Sequence, residues 1–467
     1  MAELKSQIKD FTSGKIFKPL LIFAAPLFLS NLLQLVYNMV DMVVVGNVIG
    51  KAGTSAVSVG GDLVNFLTVI AMGFGHAVQV LIARYIGAGE RHKIGAFVGT
   101  LSGFLFLCAI AVSVIGIIFQ NGILSVMNTP KEAFQGAVDY SLICMLGLVF
   151  IYGYNIVSAI LRGMGDSKHP FVFISIAAMM NLGLDLLFVA GMNMGTAGAA
   201  LATVISQATS FICSVVFLYF KRAQFELSIK FSAFVHWNKE MLVMLIKLGI
   251  PLAIRSAAVH ISKIFVNSWI NGYGVVVSAF SGIAHKIAYI VNQLALSVST
   301  AGSTMVGQNV VVAKYDRVKK IMASIAVLTV SLSAVMIIAI NLFPTEIFSL
   351  FTSDGDKDVL ALVDGYIPIA ILLFSATALR PITNALIMGS ANNFVNFGTA
   401  ILDGIVLRIG LALLFGLALD MGYYGFWLGD ALAGFTPFVI GGIFFLSGKW
   451  KRTGREKIQV KEKKETL

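Results

Sequence analysis

The sequence predicts an all-α polytopic membrane protein of twelve transmembrane helices arranged as two pseudo-symmetric six-helix lobes. Three observations predict it. The chain is 58% hydrophobic and only 12% charged, where an ordinary soluble domain has roughly 25% charged residues. Apolar stretches of ~20 residues, enough to cross ~30 Å of hydrocarbon, recur along its whole length. The second half also follows the first at an offset that drifts only from 224 to 227. Pro26 answers to Pro251, Ala71 to Ala295, Tyr140 to Tyr366 and Gly163 to Gly389, and Gly195-x-x-Gly198-x-x-Leu201 returns as Gly422-x-x-Gly425-x-x-Leu428. Duplicated membrane units place a pseudo-symmetric interface in the bilayer, where carriers hold substrate and ions.

The twelve stretches fall at about 16–45, 56–83, 95–119, 134–161, 170–192, 195–220, 241–272, 275–305, 318–343, 360–388, 394–419 and 423–447. Helices are the expected form, because each satisfies its own backbone, and the alternation of barrel strands is absent. The organisation that follows is a cytoplasmic N-terminus 1–15, an N-lobe 16–220, a basic linker 221–240, a C-lobe 241–447 and a basic tail 448–467. The net charge of +11 is a matter of topology. Lys5, Lys9, Lys15 and Lys18, then Arg84, Arg91 and Lys93, then Arg162 and Lys168, then Lys221, Arg222, Lys230 and Lys239, and finally Lys314, Arg317, Lys319 and Lys320 share one side with the tail. The opposite loops hold Lys51, Lys131 and Lys357 and an acidic group, Asp354, Asp356 and Asp358. Positive charge stays inside, so both ends are expected in the cytoplasm of a cell with the protein in its inner membrane. A nucleic-acid partner is not expected. Cys108, Cys144 and Cys213 lie in apolar segments, so neither a disulfide framework nor a metal cluster is indicated.

Ionisable groups inside spans cost at least ~2.5 kcal/mol each and therefore point to function. On the first span, Gln34, Tyr37, Asn38 and Asp41 form a polar stripe at helical spacing. On the fifth, Asn181 and Asp185 stand one turn apart. Tyr152, Asn155 and Ser158 line the fourth, while Thr203, Ser206, Gln207 and Ser210 line the sixth. At ~1.5 Å per residue, both carboxylates fall in the outer half of the bilayer. Together these faces make an oxygen-rich pocket in which a proton, or a hard cation such as Na⁺, would neutralise buried charge. A purely structural use of the two carboxylates stays open. The second half reverses the sign: Arg255, Lys263, Lys286, Arg380 and Arg408 stand in its spans against Asp403 and Asp430. Arg408 invites pairing with an acid, Lys286 invites snorkelling, and Arg255, Lys263 and Arg380 are candidates to meet polar or anionic solute groups in a cavity. Gly73-Phe-Gly75 lacks the context of a dinucleotide loop, and no nucleophile motif or metal-ligand histidine spacing is present.

The run from Pro26 through Gln34, with Tyr37-Asn38-Met39-Val40-Asp41 and Gly46, resembles the first helix of multidrug and toxic compound extrusion (MATE) transporters. Arg162-Gly163-Met164-Gly165-Asp166, Asn181-Leu182-Gly183-Leu184-Asp185 and Val306-Gly307-Gln308-Asn309 are similar to further motifs of that family, over roughly residues 15–447. The resemblance implies a cation-coupled antiporter exporting a small organic solute, with H⁺ or Na⁺ as coupling ion and no cofactor. In the DinF-like branch it implies a coupling site, and any Na⁺ site, at Asp41, Asn155, Asn181, Asp185 and Thr203. The NorM-like branch is associated with acids on helices seven, eight and ten, where this chain carries Arg255, Lys263, Lys286 and Arg380. A monomer is the default expectation. Two other readings are a lipid-linked oligosaccharide flippase of the same superfamily, which would suit the cationic second half, and a membrane-embedded lipid-modifying enzyme.

Overall fold

The computed structural model describes residues 6–127, 129–228, 231–351 and 357–452, and among them it is helical nearly throughout. The basic tail beyond Arg452, the acids Asp354 and Asp356, and the bases Lys5 and Lys230 lie outside the described residues. Helix α1 (Phe17–Gly87) has 71 residues, a length of ~105 Å, more than three bilayer cores. It therefore has to be more than one span. The break is at Gly50, whose φ of 77° and ψ of −165° belong to a region open to glycine alone. The rest of the first half follows as α2 (Ile94–Val126), α3 (Lys131–Leu146), α4 (Leu148–Gly163), α5 (Lys168–Asp185) and α6 (Gly195–Phe220). A bend of 51° joins α3 to α4.

The second half runs through α7 (Lys239–Asn271), α8 (Val275–Val311), α9 (Tyr315–Leu342), the short α10 (Pro344–Ser349) and α11 (Lys357–Leu360), and α12 (Val363–Gly389). It closes with α13 (Asn393–Ile401), α14 (Leu407–Leu413), α15 (Gly422–Ala433) and α16 (Thr436–Leu446). Among the described residues, ten helical stretches are long and apolar enough to cross a bilayer, and the bent α3–α4 pair makes an eleventh. Counting α1 as two spans, divided at Gly50, gives the twelve that the sequence predicts.

The repeat is written into the backbone as well as the side chains. Residues with positive φ recur at the same offsets: Gly50 with Gly274, Gly89 with Ala313, Gly165 with Ala391, Asn193 with Asp420, and Gly195 with Gly422. A π-helical turn at Leu186–Gly191 is matched by one at Leu414–Ala418. Left-handed residues are uncommon outside glycine, so this shared series marks common local geometry. A second π-helical turn, Leu402–Val406, has no partner among the described residues and carries Asp403.

The chain folds into two compact units. One unit takes Ala25–Gly249 with the stretch ending at Lys9; the other takes Asp10–Ala24 and the chain from Ile250 onward. Both crossings inside a helix fall immediately before a proline, Pro26 in α1 and Pro251 in α7. Proline removes one helical hydrogen bond and clashes with the preceding turn, so each helix has a natural place to change direction. In the first unit, Val57, Leu67, Cys144, Met145, Val189 and Ala199 are among the buried core. In the second, Phe280 stacks on Phe348 at 5.0 Å and meets Tyr366 and Trp427 at 5.3 and 5.2 Å. The segment before α1 is fixed to this second unit: the Phe11 N–H donates to Gln308 at 2.7 Å, and its carbonyl accepts from Asn309 and Arg317.

Candidate functional site

Asp41 is buried on α1 at the end of its polar stripe, and Asp185 is buried at the C-terminal end of α5. The π-helical turn that follows Asp185 is a common device at functional positions. The two carboxylates lie close enough to interact directly. Neither Asp185 oxygen, nor Asp41 Oδ1, receives a donor from the described residues. Ionised carboxylates only accept, so a bond between them needs a proton. A cation between them would satisfy the same oxygens.

Around this pair the structure gathers part of the predicted set. Tyr37 lies close to Asp41 and to Gln207 of α6. Thr203, one turn before Gln207, lies close to Tyr140 of α3, which is also near Asp41 and Tyr37. Asn181 is buried one turn before Asp185, and its Nδ2 has no acceptor among the described residues, leaving an amide ready to serve a ligand. Gln34 is half-buried and Asn38 exposed. Two predicted residues turn elsewhere. Asn155 donates to the Ile151 carbonyl of its own helix at 2.8 Å. The Tyr152 hydroxyl donates to the Leu67 carbonyl at 2.7 Å within the apolar core. Tyr140 is the main participant that the polar-stripe reading passes over; it had signalled itself only by answering to Tyr366.

The second unit holds an ion-pair network. Asp403 accepts from Arg408 at 3.1 Å and stands 3.6 Å from Arg255. Arg408 also pairs with Asp430, and Arg255 donates to Asn384 at 3.0 Å. Arg380 is bonded to Asn292. Lys286 is exposed. Lys263 forms no ion pair among the described residues; it lines a small cavity of about 20 Å³ with Asn267, His285, Tyr366, Trp427 and Asp430. Among the three bases singled out in the sequence, Arg255 and Arg380 thus have partners and Lys263 faces open space. His285 is the cavity residue that sequence reading set aside, since it looks only for metal-ligand spacing.

A model of the MatE family matches residues 26–187 and, a second time, residues 251–414, two intervals related by the internal repeat. The chain is 32% identical over 345 residues to YoeA, a probable multidrug resistance protein of Bacillus subtilis, covering 73% of this chain and 74% of that one. It is 30% identical to YpnP, a probable multidrug resistance protein of the same organism, over 66% of this chain and 68% of the relative. The fold is shared with solved structures. One is an outward-facing multidrug resistance MATE family transporter of the MOP superfamily, at a TM-score of 0.86 and 20% identity, covering 98% of this chain and 99% of that one. Another is a MOP superfamily transporter from Pyrococcus furiosus described by the reverse polarity of its binding pocket, at 0.85 and 20% identity over 97% and 98%.

Proposed function

Because the chain belongs to the MatE family of multi-pass membrane transporters, we propose that it is a secondary active exporter exchanging inward H⁺ or Na⁺ for an outward organic solute. The observation that carries this reading is the pair Asp41 and Asp185, two neighbouring buried carboxylates of which Asp41 Oδ1 and both Asp185 oxygens receive no donor among the described residues. Emptied of cation, the pocket holds unpaired charge in a membrane interior, which is costly. A proton shared between the carboxylates removes that cost. A Na⁺ would do so as well, with Thr203 and the Asn181 carbonyl as neutral oxygens, a donor set suited to a hard cation. Loaded and empty states of the first unit therefore differ in free energy by an amount the membrane gradient can exploit. Exchange follows when ion and solute favour different conformations, by a few kcal/mol for a decisive shift.

The unpartnered acids of the first unit, together with Arg255, Lys263, Lys286 and Arg380 in place of acids on the seventh, eighth and tenth spans, support assignment to the DinF-like branch and a coupling site confined to the first unit. The relatives named as probable multidrug resistance proteins support an organic solute of broad chemistry. The fold shared with transporters favours export over lipid modification. Asp41→Asn tests the reading, because it keeps the side-chain size and removes the titratable charge. In proteoliposomes carrying ethidium and an imposed pH or Na⁺ gradient, the variant should insert normally and lose gradient-driven transport. Wild-type rates from a well-folded Asp41→Asn protein would overturn the coupling proposal.

A further inference from the structure

A duplicated unit carries a duplicated pocket, and the second copy has been rewritten in charge. At the repeat offsets, Asn38 and Asp41 of α1 answer to Lys263 and Val266 of α7, Tyr140 to Tyr366, Thr203 to Asp430 and Asn181 to Arg408. Lys263, Val266, Tyr366 and Asp430 all line the cavity of the second unit. That cavity is therefore the twin of the carboxylate pocket.

The twins differ in what they offer a ligand. The first presents acceptors that lack donors. In the second, the buried acids Asp403 and Asp430 are already engaged by Arg408, with Arg255 beside Asp403. Against these two acids stand Arg255, Lys263, Arg380 and Arg408, so two positive charges are left uncompensated. Arg380 spends its donor on the neutral Asn292. Lys263 is exposed at the cavity with no acid in pairing distance among the described residues. His285 stands across the same space, and the aromatic rings of Tyr366 and Trp427 form a wall beside it. The volume is too small for a drug-sized body but matches a head group of about one or two water-sized atoms.

We infer that this cavity is an anion-accepting subsite that takes the carboxylate of an organic solute, with Lys263 as its principal donor and His285 as its second. The aromatic wall then receives the apolar part next to that carboxylate. Arg408 plays a different part, holding Asp430 so that this acid does not neutralise Lys263 in full. The inference rests on the transport reading for the word solute, while the binding itself can be measured without any gradient.

Rhodamine 110 and rhodamine 123 differ only in that a free carboxylate in the first is a methyl ester in the second. Their binding to the purified full-length protein in nanodiscs, read by fluorescence anisotropy, tests the subsite. Wild-type protein should prefer rhodamine 110. Lys263→Gln should weaken rhodamine 110 about tenfold, the scale of one charge-assisted hydrogen bond, and leave rhodamine 123 nearly unchanged. Lys263→Arg should restore the preference, and His285→Gln should show a smaller loss in the same direction. No wild-type preference, an unchanged rhodamine 110 affinity in Lys263→Gln, or an equal loss of both dyes would overturn the assignment. Because the readout is equilibrium binding, failure of coupling in Asp41→Asn leaves it standing, and its own failure leaves the coupling proposal untouched.

Discussion

Asp41 and Asp185 are a case in which two residues have to be treated as one group. Each carboxylate faces the other as an acceptor, so whatever cation sits between them belongs to the pair, and the pair titrates as a unit. Asn at either position supplies an amide donor to the remaining carboxylate and removes the need for that cation. Once one carboxylate is gone, losing the other changes little. Gradient-driven export in Asp41→Asn, Asp185→Asn and the double variant should therefore be strongly non-additive, with a coupling of about 0.5–3 kcal/mol as for residues in contact. Strictly multiplicative losses would show that the carboxylates act independently. The two acids were legible in the sequence because charge inside an apolar span is costly wherever it stands. Their partners were legible only in part. Gln207 stood out on the polar face of the sixth span, but Tyr140 reaches the site from α3, and an approach between helices leaves no periodic trace in either one. For the same reason the sequence indicates that Arg408 needs an acid but not that it takes both Asp403 and Asp430.

At the scale of elements, apolar length located every span, while the irregularities that shape them came from single residues. Gly50 divides α1, a π-helical turn extends α5, and a sharp bend separates α3 from α4; none of these changes hydropathy. The linker is another example. Charge leads one to expect it on the cytoplasmic side, and its seat is a face of α2 marked by Gly95, Gly99 and Gly103, one turn apart. A Cβ on Gly95 would strike the Ser228 backbone, one on Gly99 would strike Ala233, and one on Gly103 would strike the Phe234 carbonyl. Trp237 closes over Phe104 at 6.0 Å, and Asn238 then caps α7 by accepting from the Met241 N–H at 3.1 Å. Gly99→Leu should lift this segment off its seat at an overpacking cost of about 1–3 kcal/mol. Trypsin should then cut at Arg222 or Lys239 faster than in wild type. Gly122→Leu on the same helix, where a side chain meets nothing within 4 Å, is the control; equal cleavage of the two variants would mean that the glycine face does not hold the linker.

For the whole molecule, the duplication accounts for more than the helix count. Six spans with short loops could pack as a bundle within one half. The compact units show otherwise: residues Asp10–Ala24 of the first half fold with the second unit, and the start of α7 up to Gly249 folds with the first. Each unit thus needs a piece of chain from the other half, and the exchange occurs before Pro26 and Pro251, positions related by the repeat. Phe11 shows what would be lost, since it is buried and its backbone is bonded to Gln308, Asn309 and Arg317 of the second unit. Without it those three side chains lose that partner, and each such hydrogen bond contributes about 0.5–1.5 kcal/mol. Opening the chain in the linker after Ser228 should therefore give two fragments that are degraded or misfolded when expressed singly. Co-expressed, they should recover a protease-resistant complex that co-purifies through a tag on either fragment. A C-terminal fragment that accumulates alone, with the melting temperature of the intact protein, would show that the exchanged segment contributes nothing to its unit.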